Sequence, residues 1–532
     1  MIEISPDMVK SQLERILASS EFMASNVLSR FLHFVVNQSL NGQSGSIKQY
    51  TVAVEALGYG AGFDPQSNPI VRINARKLRR ALDRYYLEEG RDDPVRIDIP
   101  KGSYVPNFRE NQKTSVVADS SECPPPVPDQ TPHRLSEPSI AVVMFENLNE
   151  KDENSFLVKG LTSEILISLT RFSGLTVLGP LDPPEDKAID FYKILNEYNA
   201  LFVLQGKVRS QGSNIRITAD LTDASTGKKE WGRTFDYDLE KMSLFEIEDQ
   251  VTSQVTGVVA DGLGIIFRKI KADSYHKYIK INEYTEAVLH YNSMWTTLAP
   301  QDFINALLAV NKALDKQPEN ALLLALKSNI YYGDVIFELS LFPKSRSEME
   351  ALAFKASSLD PDLQIARYNR VVQHGFHGRG KQCIEEAQKV VAMNPNHARI
   401  LGGCAVQTAS VEAYDLGREL IERAKKLNPH YPGWYHFVDY LIHFSNERYK
   451  QAWDEAQNIH IEGLFWHPLL RAAALGKLGR VKEAEVYIDE LVQMKPEFTS
   501  SPREYLKLLF VTEKHVKMVW DGLYKAGMRE LA

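Results

Sequence analysis

The first 110 residues show apolar positions at helical spacing, followed by a short alternating pattern. Apolar residues three and four positions apart predict two helices within residues 8–40, the second with Leu28, Phe31, Leu32, Val35 and Val36 on its buried face. The same period predicts a third helix over Ile47–Leu57. After Gly90, alternation through residues 95–108 predicts two short strands that turn at Pro100–Ser103.

A basic helix is predicted between these elements, from Ile70 to Arg84. Asn68 and Pro69 stand where a helix cap and a first helical residue belong. One side of the helix carries the apolar residues Val71, Ala75, Leu78 and Leu82. The other side carries the basic residues Arg72, Arg76, Lys77, Arg79 and Arg80.

The charge of this helix contrasts with that of the whole chain. Residues 71–84 hold six basic residues against one acidic, a local charge of +5 in a chain of net charge -7. Such a concentration favours an anionic partner, and a row of arginines on a helix suits the phosphates and guanine edges of double-stranded DNA. We therefore expect DNA binding here.

An arginine-rich face exposed only to solvent remains the alternative. Residues 1–110 hold 14 Lys and Arg against 13 Asp and Glu, so the domain as a whole is close to neutral. The basic residues nevertheless precede a hairpin that adds Arg96 and Lys101. A single module with few contacts binds weakly, so dimers or tandem sites are expected.

Residues 111–138 are rich in Pro, Ser and Asp and lack a periodic apolar face, which predicts a flexible linker. A mixed α/β domain is predicted next, over 139–265. It opens with the continuous apolar run Ser139–Glu146, typical of a buried strand. Helices are expected at 156–171, 188–197 and 239–263, and a strand at 175–179. Further strands are expected within 200–237, with turns at 211–214 and 225–228.

Internal repetition characterises residues 280–532. Helical segments end at Pro318, Pro361, Pro395, Pro429 and Pro496, in steps of 43, 34, 34 and 67 residues. The last step is about twice 34, the period of tetratricopeptide repeats. An α-helical solenoid is expected, either binding a protein partner on its concave face or serving only as a scaffold.

Composition places the chain among soluble globular proteins. It has 532 residues, 44% of them hydrophobic and 25% charged, enough for about three domains. The start lacks a signal-peptide pattern and no apolar run approaches a membrane span, so we expect a cytoplasmic protein without membrane contact. Cys123, Cys383 and Cys404 are odd in number and widely spaced, which predicts neither disulfides nor zinc.

Candidate catalytic chemistry is sparse in the sequence. Glu164 and Asp220 could be an acid and a base, but a capping or turn carboxylate is the preferred interpretation of each. His374 and His377 lie three apart without an assignable third metal ligand. There is no phosphate loop of the GxxxxGK[ST] type and no HExxH motif. We therefore expect no enzyme activity, no cofactor and no metal.

The segments IVRINARKLRRAL (70–82) and RIDIPKGSYVPNF (96–108) together resemble the end of the OmpR/PhoB-type winged-helix DNA-binding domain. Lys101, Gly102 and Tyr104 occupy the place of that family's RG-x-GY motif. The family's amino-terminal sheet is not evident and no receiver domain precedes the module. The resemblance implies major-groove or phosphate contacts for the basic helix residues, and minor-groove contacts near Arg96 and Lys101 on the wing.

The middle domain resembles the TolB amino-terminal-like module through SIAVVMFENL (139–148), GLTSEILISLTRF (160–172), the strand segment 201–231 and FEIEDQVTSQV (245–255). This resemblance implies a fold and no chemistry. The fold class expected is mixed and mainly α: a winged helix-turn-helix domain over 1–110, the α/β domain, and the tetratricopeptide solenoid.

This layout resembles bacterial transcriptional regulators of the HilA type, and of the CadC and ToxR type without their membrane span. The expected function is regulation of transcription through promoter binding, with the tail receiving a protein or ligand signal. Two alternatives remain open. One is an adenylate or guanylate cyclase-associated protein, and the other is a repeat adaptor that does not bind DNA.

Overall fold

The computed structural model describes the chain except for residues 1–4, 20–21, 23–25, 58–69, 88, 91–92, 101–102, 111–132, 136, 150–154, 184–188, 275–278, 460, 462 and 530–532. The described part is mixed and mainly helical. The chain divides into two compact units, Met1–Val127 and Pro128–Ala532. Most of the predicted linker at 111–138 lies outside the described residues, and its last part contains the strand His133–Leu135.

The first unit consists of helices followed by a hairpin, in the predicted order. Its elements are α1 (Pro6–Leu17), α2 (Asn26–Leu40), α3 (Gln49–Thr51, continued by a π-helical turn at Val52–Ala56), α4 (Ile70–Leu87), β1 (Val95–Asp98) and β2 (Asn107–Glu110). The strands pair antiparallel, with Val95 opposite Glu110 and Asp98 opposite Asn107. The predicted apolar face of α2 is confirmed, because Phe31, Leu32 and Val35 are fully buried.

The second unit begins with a sheet in which parallel and antiparallel strands are combined. The sheet strands are β4 (Ser139–Val143), β5 (Glu146–Asn147), β6 (Thr176–Leu181), β7 (Phe202–Gln211), β8 (Asn214–Asp223) and β9 (Lys228–Asp238). The order is β6-β4-β7-β8-β9, with β5 also paired to β7. Strand β4 runs parallel to both neighbours, whereas β7, β8 and β9 form an antiparallel meander.

Helices α5 (Ser155–Thr170), α6 (Phe191–Glu197) and α7 (Leu244–Val259) accompany this sheet. Ser243 begins α7 with a capping box, in which its side chain accepts a hydrogen bond from the Glu246 backbone and the Glu246 carboxylate accepts one from the Ser243 backbone. A separate parallel pair joins β3 (His133–Leu135) to β10 (Ile279–Ile281). The α/β character expected for this segment is therefore confirmed.

Successive helices pack together from residue 265 to the carboxyl terminus. They are α8 (Ile265–Ser274), α9 (Glu283–Thr297), α10 (Pro300–Lys316), α11 (Ala321–Ile336), α12 (Ser345–Leu359), α13 (Gln364–Phe376), α14 (Gly380–Met393), α15 (Ala398–Ser410), α16 (Tyr414–Leu427), α17 (His436–Ser445), α18 (Tyr449–Ala456), α19 (Trp466–Lys477), α20 (Val481–Met494), α21 (Pro502–Leu509) and α22 (Glu513–Lys525).

The repeated prolines mark helix ends, as the sequence predicts. Each stands two residues after the end of a helix: Pro318 after α10, Pro361 after α12, Pro395 after α14, Pro429 after α16 and Pro496 after α20. The long interval between Pro429 and Pro496 holds four helices, α17, α18, α19 and α20, whereas each shorter interval holds two. The regular spacing therefore reflects a regular succession of helices.

The sheet and the helical region share one hydrophobic core, which runs from Ile140 to Met528. Polar contacts join them as well. Asn396 Nδ2 donates to Ser168 Oγ at 3.0 Å, and Asn394 Nδ2 donates to the Arg171 carbonyl at 3.3 Å. Residues 139–265 and 280–532 thus belong to a single compact unit.

Candidate nucleic-acid interface

Helix α4 is anchored by the apolar face that its sequence predicts. Val71, Ala75, Leu78 and Leu82 are all buried in the core of the first unit. The burial of this face fixes the rotation of the helix, because apolar side chains at helical spacing must face the core together. Because the rotation of the helix is fixed, the backbone positions of its basic residues are fixed as well.

Arg79 lies between α4 and the turn of the hairpin. Its Nε donates a hydrogen bond of 2.8 Å to the Ile99 carbonyl, and its Nη2 donates one of 2.7 Å to the Ser103 carbonyl. These contacts hold the turn against the helix. The sequence grouped Arg79 with the DNA-contacting arginines, although its position between Leu78 and Leu82 places it at the edge of the buried face.

Arg96 is also engaged within the unit. It lies on β1, and its guanidinium carbon is 4.9 Å from the ring centroid of Tyr86 on α4. The Tyr86 hydroxyl accepts a hydrogen bond from the Ile97 backbone N–H at 2.7 Å and donates one to the Val95 carbonyl at 3.2 Å. Burial raises the pKa of Tyr86, so this phenol remains protonated. Arg96 therefore packs where the helix meets the hairpin.

A second junction ties α1 to the same region. The Asp93 carboxylate accepts hydrogen bonds from Gln12 Nε2 at 2.6 Å and from the Tyr85 hydroxyl, and it forms an ion pair with Arg15 at 3.2 Å. Burial and the hydrogen bond to Asp93 raise the pKa of Tyr85, which keeps its hydroxyl as a donor. Asp93, which lies just before β1, is consequently held to both α1 and α4.

Arg109 is a basic residue that the sequence reasoning did not select. It lies on β2 directly opposite Arg96, and it is exposed while its Nε pairs with Asp98 Oδ1 at 3.1 Å. The alternation of the hairpin could have shown it, because residues opposite each other in an antiparallel pair share a face. Arg96 and Arg109 thus place two basic side chains on one face of the hairpin.

The remaining predicted contact residues are described only in part. Arg72, Arg76, Lys77 and Arg80 belong to α4 by their backbone, and their side chains lie outside the described part of the structure. Lys101 lies outside the described residues altogether. The structure places Arg79 and Arg96 each beside the hairpin, and DNA contact by any of the seven predicted residues remains a prediction.

Two of the other residues considered for chemistry, Asp220 and His377, are bonded to neighbouring side chains. Asp220 accepts from Gln205 at 2.8 Å and pairs with Lys229 at 3.1 Å across the sheet. His377 pairs with Glu350 at 2.6 Å. Within the described ranges, no group of three His, Cys, Asp or Glu side chains is arranged to hold a metal ion. No helix in those ranges is long and apolar enough to cross a bilayer.

Comparison with known proteins gives limited matches. No family model matches the chain. A protein of Rhizobium meliloti (strain 1021) named "Putative adenylate cyclase 3" is 31% identical over 144 residues, which are 26% of this chain and 24% of that protein. The chain therefore spans about a quarter of the length of this curated relative.

Two solved structures are similar over part of the chain. The PelC dodecamer from Paraburkholderia phytofirmans is 18% identical with a TM-score of 0.18, covering 24% of this chain and 91% of that one. TolB from Acinetobacter baumannii is 17% identical with a TM-score of 0.18, covering 24% of this chain and 30% of that one. Neither similarity supports a functional assignment.

Proposed function

We propose that this chain is a DNA-binding transcriptional regulator whose first unit binds promoter DNA with α4 and the hairpin that follows it. The observation that carries the proposal is the basic helix itself. Six basic residues fall within fourteen positions of a helix whose apolar face is buried, and a hairpin follows directly. We interpret this unit as a winged helix of the OmpR/PhoB type.

The basic residues divide into two groups in this proposal. Arg72, Arg76, Lys77 and Arg80 are assigned to base or phosphate contacts in the major groove. A bidentate arginine on guanine contributes about 1–3 kcal/mol of discrimination against other bases. Arg79 instead positions the hairpin through its bonds to backbone carbonyls. Arg96, Lys101 and Arg109 are assigned to the wing.

A salt titration of the full-length chain against a pool of double-stranded DNA fragments tests the proposal. Wild type is expected to select particular fragments, with log affinity falling linearly against log salt. The double variant Arg76→Ala/Arg80→Ala should bind more weakly, with a slope shallower by about 1.8 because each lost phosphate contact removes about 0.9. Arg79 is left intact because its substitution would also disturb the hairpin.

A matched control carries the same change of charge away from α4. Arg346 and Arg370 are exposed in the second unit, and Arg346→Ala/Arg370→Ala should leave affinity and slope unchanged. Equal weakening by both double variants would assign the binding to overall charge. If wild type does not bind DNA at low salt, the basic face of α4 contacts only solvent. The chain would then be better described as a repeat adaptor that does not bind DNA.

The helical region is proposed to receive the signal for this regulator. Its regular helix ends and its continuous core suit an array of tetratricopeptide type. We assign to it the binding of a protein or small-molecule partner, and to the chain no enzyme activity of its own.

A second candidate function follows from the Rhizobium meliloti relative, which supports a connection with cyclases over 144 residues. Under this alternative the chain acts on nucleotides or regulates a protein that does. Incubation of the purified chain with ATP and magnesium, followed by chromatography for cyclic AMP, separates the two. Turnover above that of a heat-denatured sample would favour the cyclase alternative.

A further inference from the structure

A cavity lies inside the helical region, surrounded mainly by α9, α11, α13, α15, α17 and α19. Its volume is about 100 Å³. Most of its surface is apolar and aromatic, with contributions from Trp295, Tyr332, Phe376, Trp434, Phe437 and Trp466. An engineered cavity of about 150 Å³ holds benzene, so this smaller cavity suits a compact molecule of at most about one ring or a short branched chain.

Glycines let the surrounding rings approach the helices closely. A methyl group at Gly403 of α15 would lie 2.2 Å from the Tyr368 hydroxyl, and one at Gly402 would lie 2.7 Å from the Tyr435 ring. At Gly333 of α11 the ring of Phe303 occupies that place, at 2.6 Å. Gly403, Tyr368 and Gly333 line the cavity, so part of its wall is built from close helix–ring packing.

Arg399 brings a positive charge to this apolar wall. Only 5% of its surface is exposed, and its guanidinium carbon lies 5.0 Å from the ring centroid of Tyr291. Its side chain also hydrogen-bonds Tyr291, but within the described part of the chain its Nε has no hydrogen-bond partner. A buried guanidinium in such surroundings is ordinarily paired with an anion.

The nearby carboxylate of Asp261 is occupied by other donors. It accepts hydrogen bonds from His397 Nδ1 at 2.8 Å and from the backbone N–H groups of Leu263 at 2.9 Å and Arg399 at 3.1 Å. Asp261 therefore binds the Arg399 backbone and not its side chain.

Among the described residues, the donors Trp295 Nε1, Tyr332 Oη and Trp466 Nε1 along the cavity have no hydrogen-bond partner. The Tyr332 hydroxyl and the Trp466 Nε1 are both buried, and the described residues offer neither a hydrogen bond. An indole N–H and a guanidinium only donate, and a phenol can donate. The unpartnered atoms of Arg399, Tyr332 and Trp466 therefore call for an acceptor, preferably one that carries negative charge.

We propose that this cavity binds a small monocarboxylic acid with an aromatic or branched apolar body. The carboxylate would pair with Arg399 and accept hydrogen bonds from Tyr332 and Trp466, while the apolar body would fill the space between the rings. A carboxylate accepts at both oxygens, which matches the excess of donors. An amine would meet like charge, and a neutral amide would leave the arginine without an anion.

Titration of the full-length chain with benzoate by isothermal calorimetry tests this site. Saturable binding of one benzoate per chain is expected, and benzamide should bind about tenfold more weakly. Benzylamine should not bind. Trp295, Trp434 and Trp466 line the cavity, so benzoate should also change the intrinsic fluorescence. Absence of saturable benzoate and phenylacetate binding at about 10 mM would overturn the proposal.

Substitutions at the cavity test whether benzoate binds there. Tyr332→Phe removes an unpartnered hydroxyl and keeps the ring, so it should leave the fold intact and still weaken benzoate severalfold. Arg399→Met should weaken benzoate at least about tenfold, whereas Arg370→Met, at an exposed position on α13, should not. If Arg399→Met does not fold, the Tyr332→Phe result decides. Unchanged benzoate affinity in Tyr332→Phe would refute the assigned geometry.

This inference names a class of ligand for the signal-receiving role proposed for the helical region. It rests on that role only for the biological function of the ligand, and not for the binding itself. The titration contains no DNA. A chain that binds benzoate and not DNA would refute the regulator alone, and a chain that binds DNA and not benzoate would refute the cavity ligand alone.

Discussion

Arg79 and Ile99 are joined by a hydrogen bond of 2.8 Å, donated from the Nε of the guanidinium to the backbone carbonyl. The same side chain donates from Nη2 to the carbonyl of Ser103 at 2.7 Å. One charged side chain thus fixes two points of the hairpin turn against α4, and charge-assisted bonds of this kind are stronger than neutral ones. The placement of the hairpin depends on this arginine.

We predict that Arg79→Lys loosens the hairpin without changing the net charge of the chain. Lysine has no planar fork with which to contact two carbonyls together. The loss should be about 1–3 kcal/mol of local stability. Amide hydrogen exchange of residues 95–110 should become faster, and DNA affinity should fall with it.

Arg76→Lys is the matched control for Arg79→Lys, because it makes the same change on the same helix. Its hairpin exchange should equal that of wild type. If Arg79→Lys also leaves exchange in residues 95–110 unchanged, the two hydrogen bonds do not hold the hairpin in solution.

Tyr86→Phe is predicted to destabilise the first unit. The phenol accepts from the buried Ile97 N–H at 2.7 Å and donates to the Val95 carbonyl at 3.2 Å. Its removal leaves both backbone groups without this partner, at a cost of about 1–3 kcal/mol. Hydrogen exchange in α4 and β1 should accelerate accordingly. Tyr192→Phe, at an exposed site of the second unit, should have no such effect, and equal behaviour of the two variants would contradict the prediction.

Local periodicity was sufficient to predict much of the fold. The apolar face of α4 follows from residues three and four apart, and its burial is a local consequence of helix geometry. The helix ends before Pro395 and Pro429 follow from the inability of proline to continue a helix. In both cases the determining chemistry lies within one or two turns of the residue.

Other features depend on contacts between distant residues. Arg79 bonds to carbonyls 20 and 24 positions away, so its role at the hairpin turn requires the folded hairpin. Asn396 contacts Ser168 across 228 positions, so the packing of the helical region against the sheet requires the folded chain. The environment of Arg399 likewise depends on side chains from several helices, and no spacing in the sequence indicated it.

Asp261→Asn is predicted to weaken the connection between the end of α7 and the start of α15. The carboxylate is fully buried and accepts from His397, Leu263 and Arg399. Burial alone would raise the pKa of Asp261, but these hydrogen bonds outweigh it and the pKa is lowered. The ionised form is therefore the stable one. Its contribution is present above the unfolded pKa of about 3.9 and is lost as pH falls through the lower folded value.

The substitution should cost about 2 kcal/mol or more, since hydrogen bonds to a charged group contribute about 1.5–3 kcal/mol. Urea unfolding of the second unit at neutral pH measures this as a lower midpoint. Asp249→Asn removes an exposed carboxylate of α7 and serves as the control. Identical midpoints for the two variants would show that Asp261 contributes no more than a surface residue.

His515 is predicted to make the second unit sensitive to mild acid. It is buried on α22, and its Nε2 lies 2.7 Å from the Tyr414 hydroxyl of α16. Burial lowers the pKa of His515 to about 4. The unfolded chain, with a histidine pKa of about 6.5, then binds the proton more tightly than the folded chain does. Stability should accordingly fall as pH is lowered from about 6.5 to 4, by about 3 kcal/mol from this residue.

Urea midpoints of wild type and His515→Gln between pH 7 and 4.5 measure this contribution. Glutamine does not titrate, so the variant should start less stable at pH 7 and lose less stability on acidification. His430→Gln, at an exposed position, should follow the wild-type pH profile with no such change of slope. A His515→Gln profile parallel to that of wild type throughout this range would mean that His515 takes up no proton on unfolding, and that other groups cause the acid sensitivity.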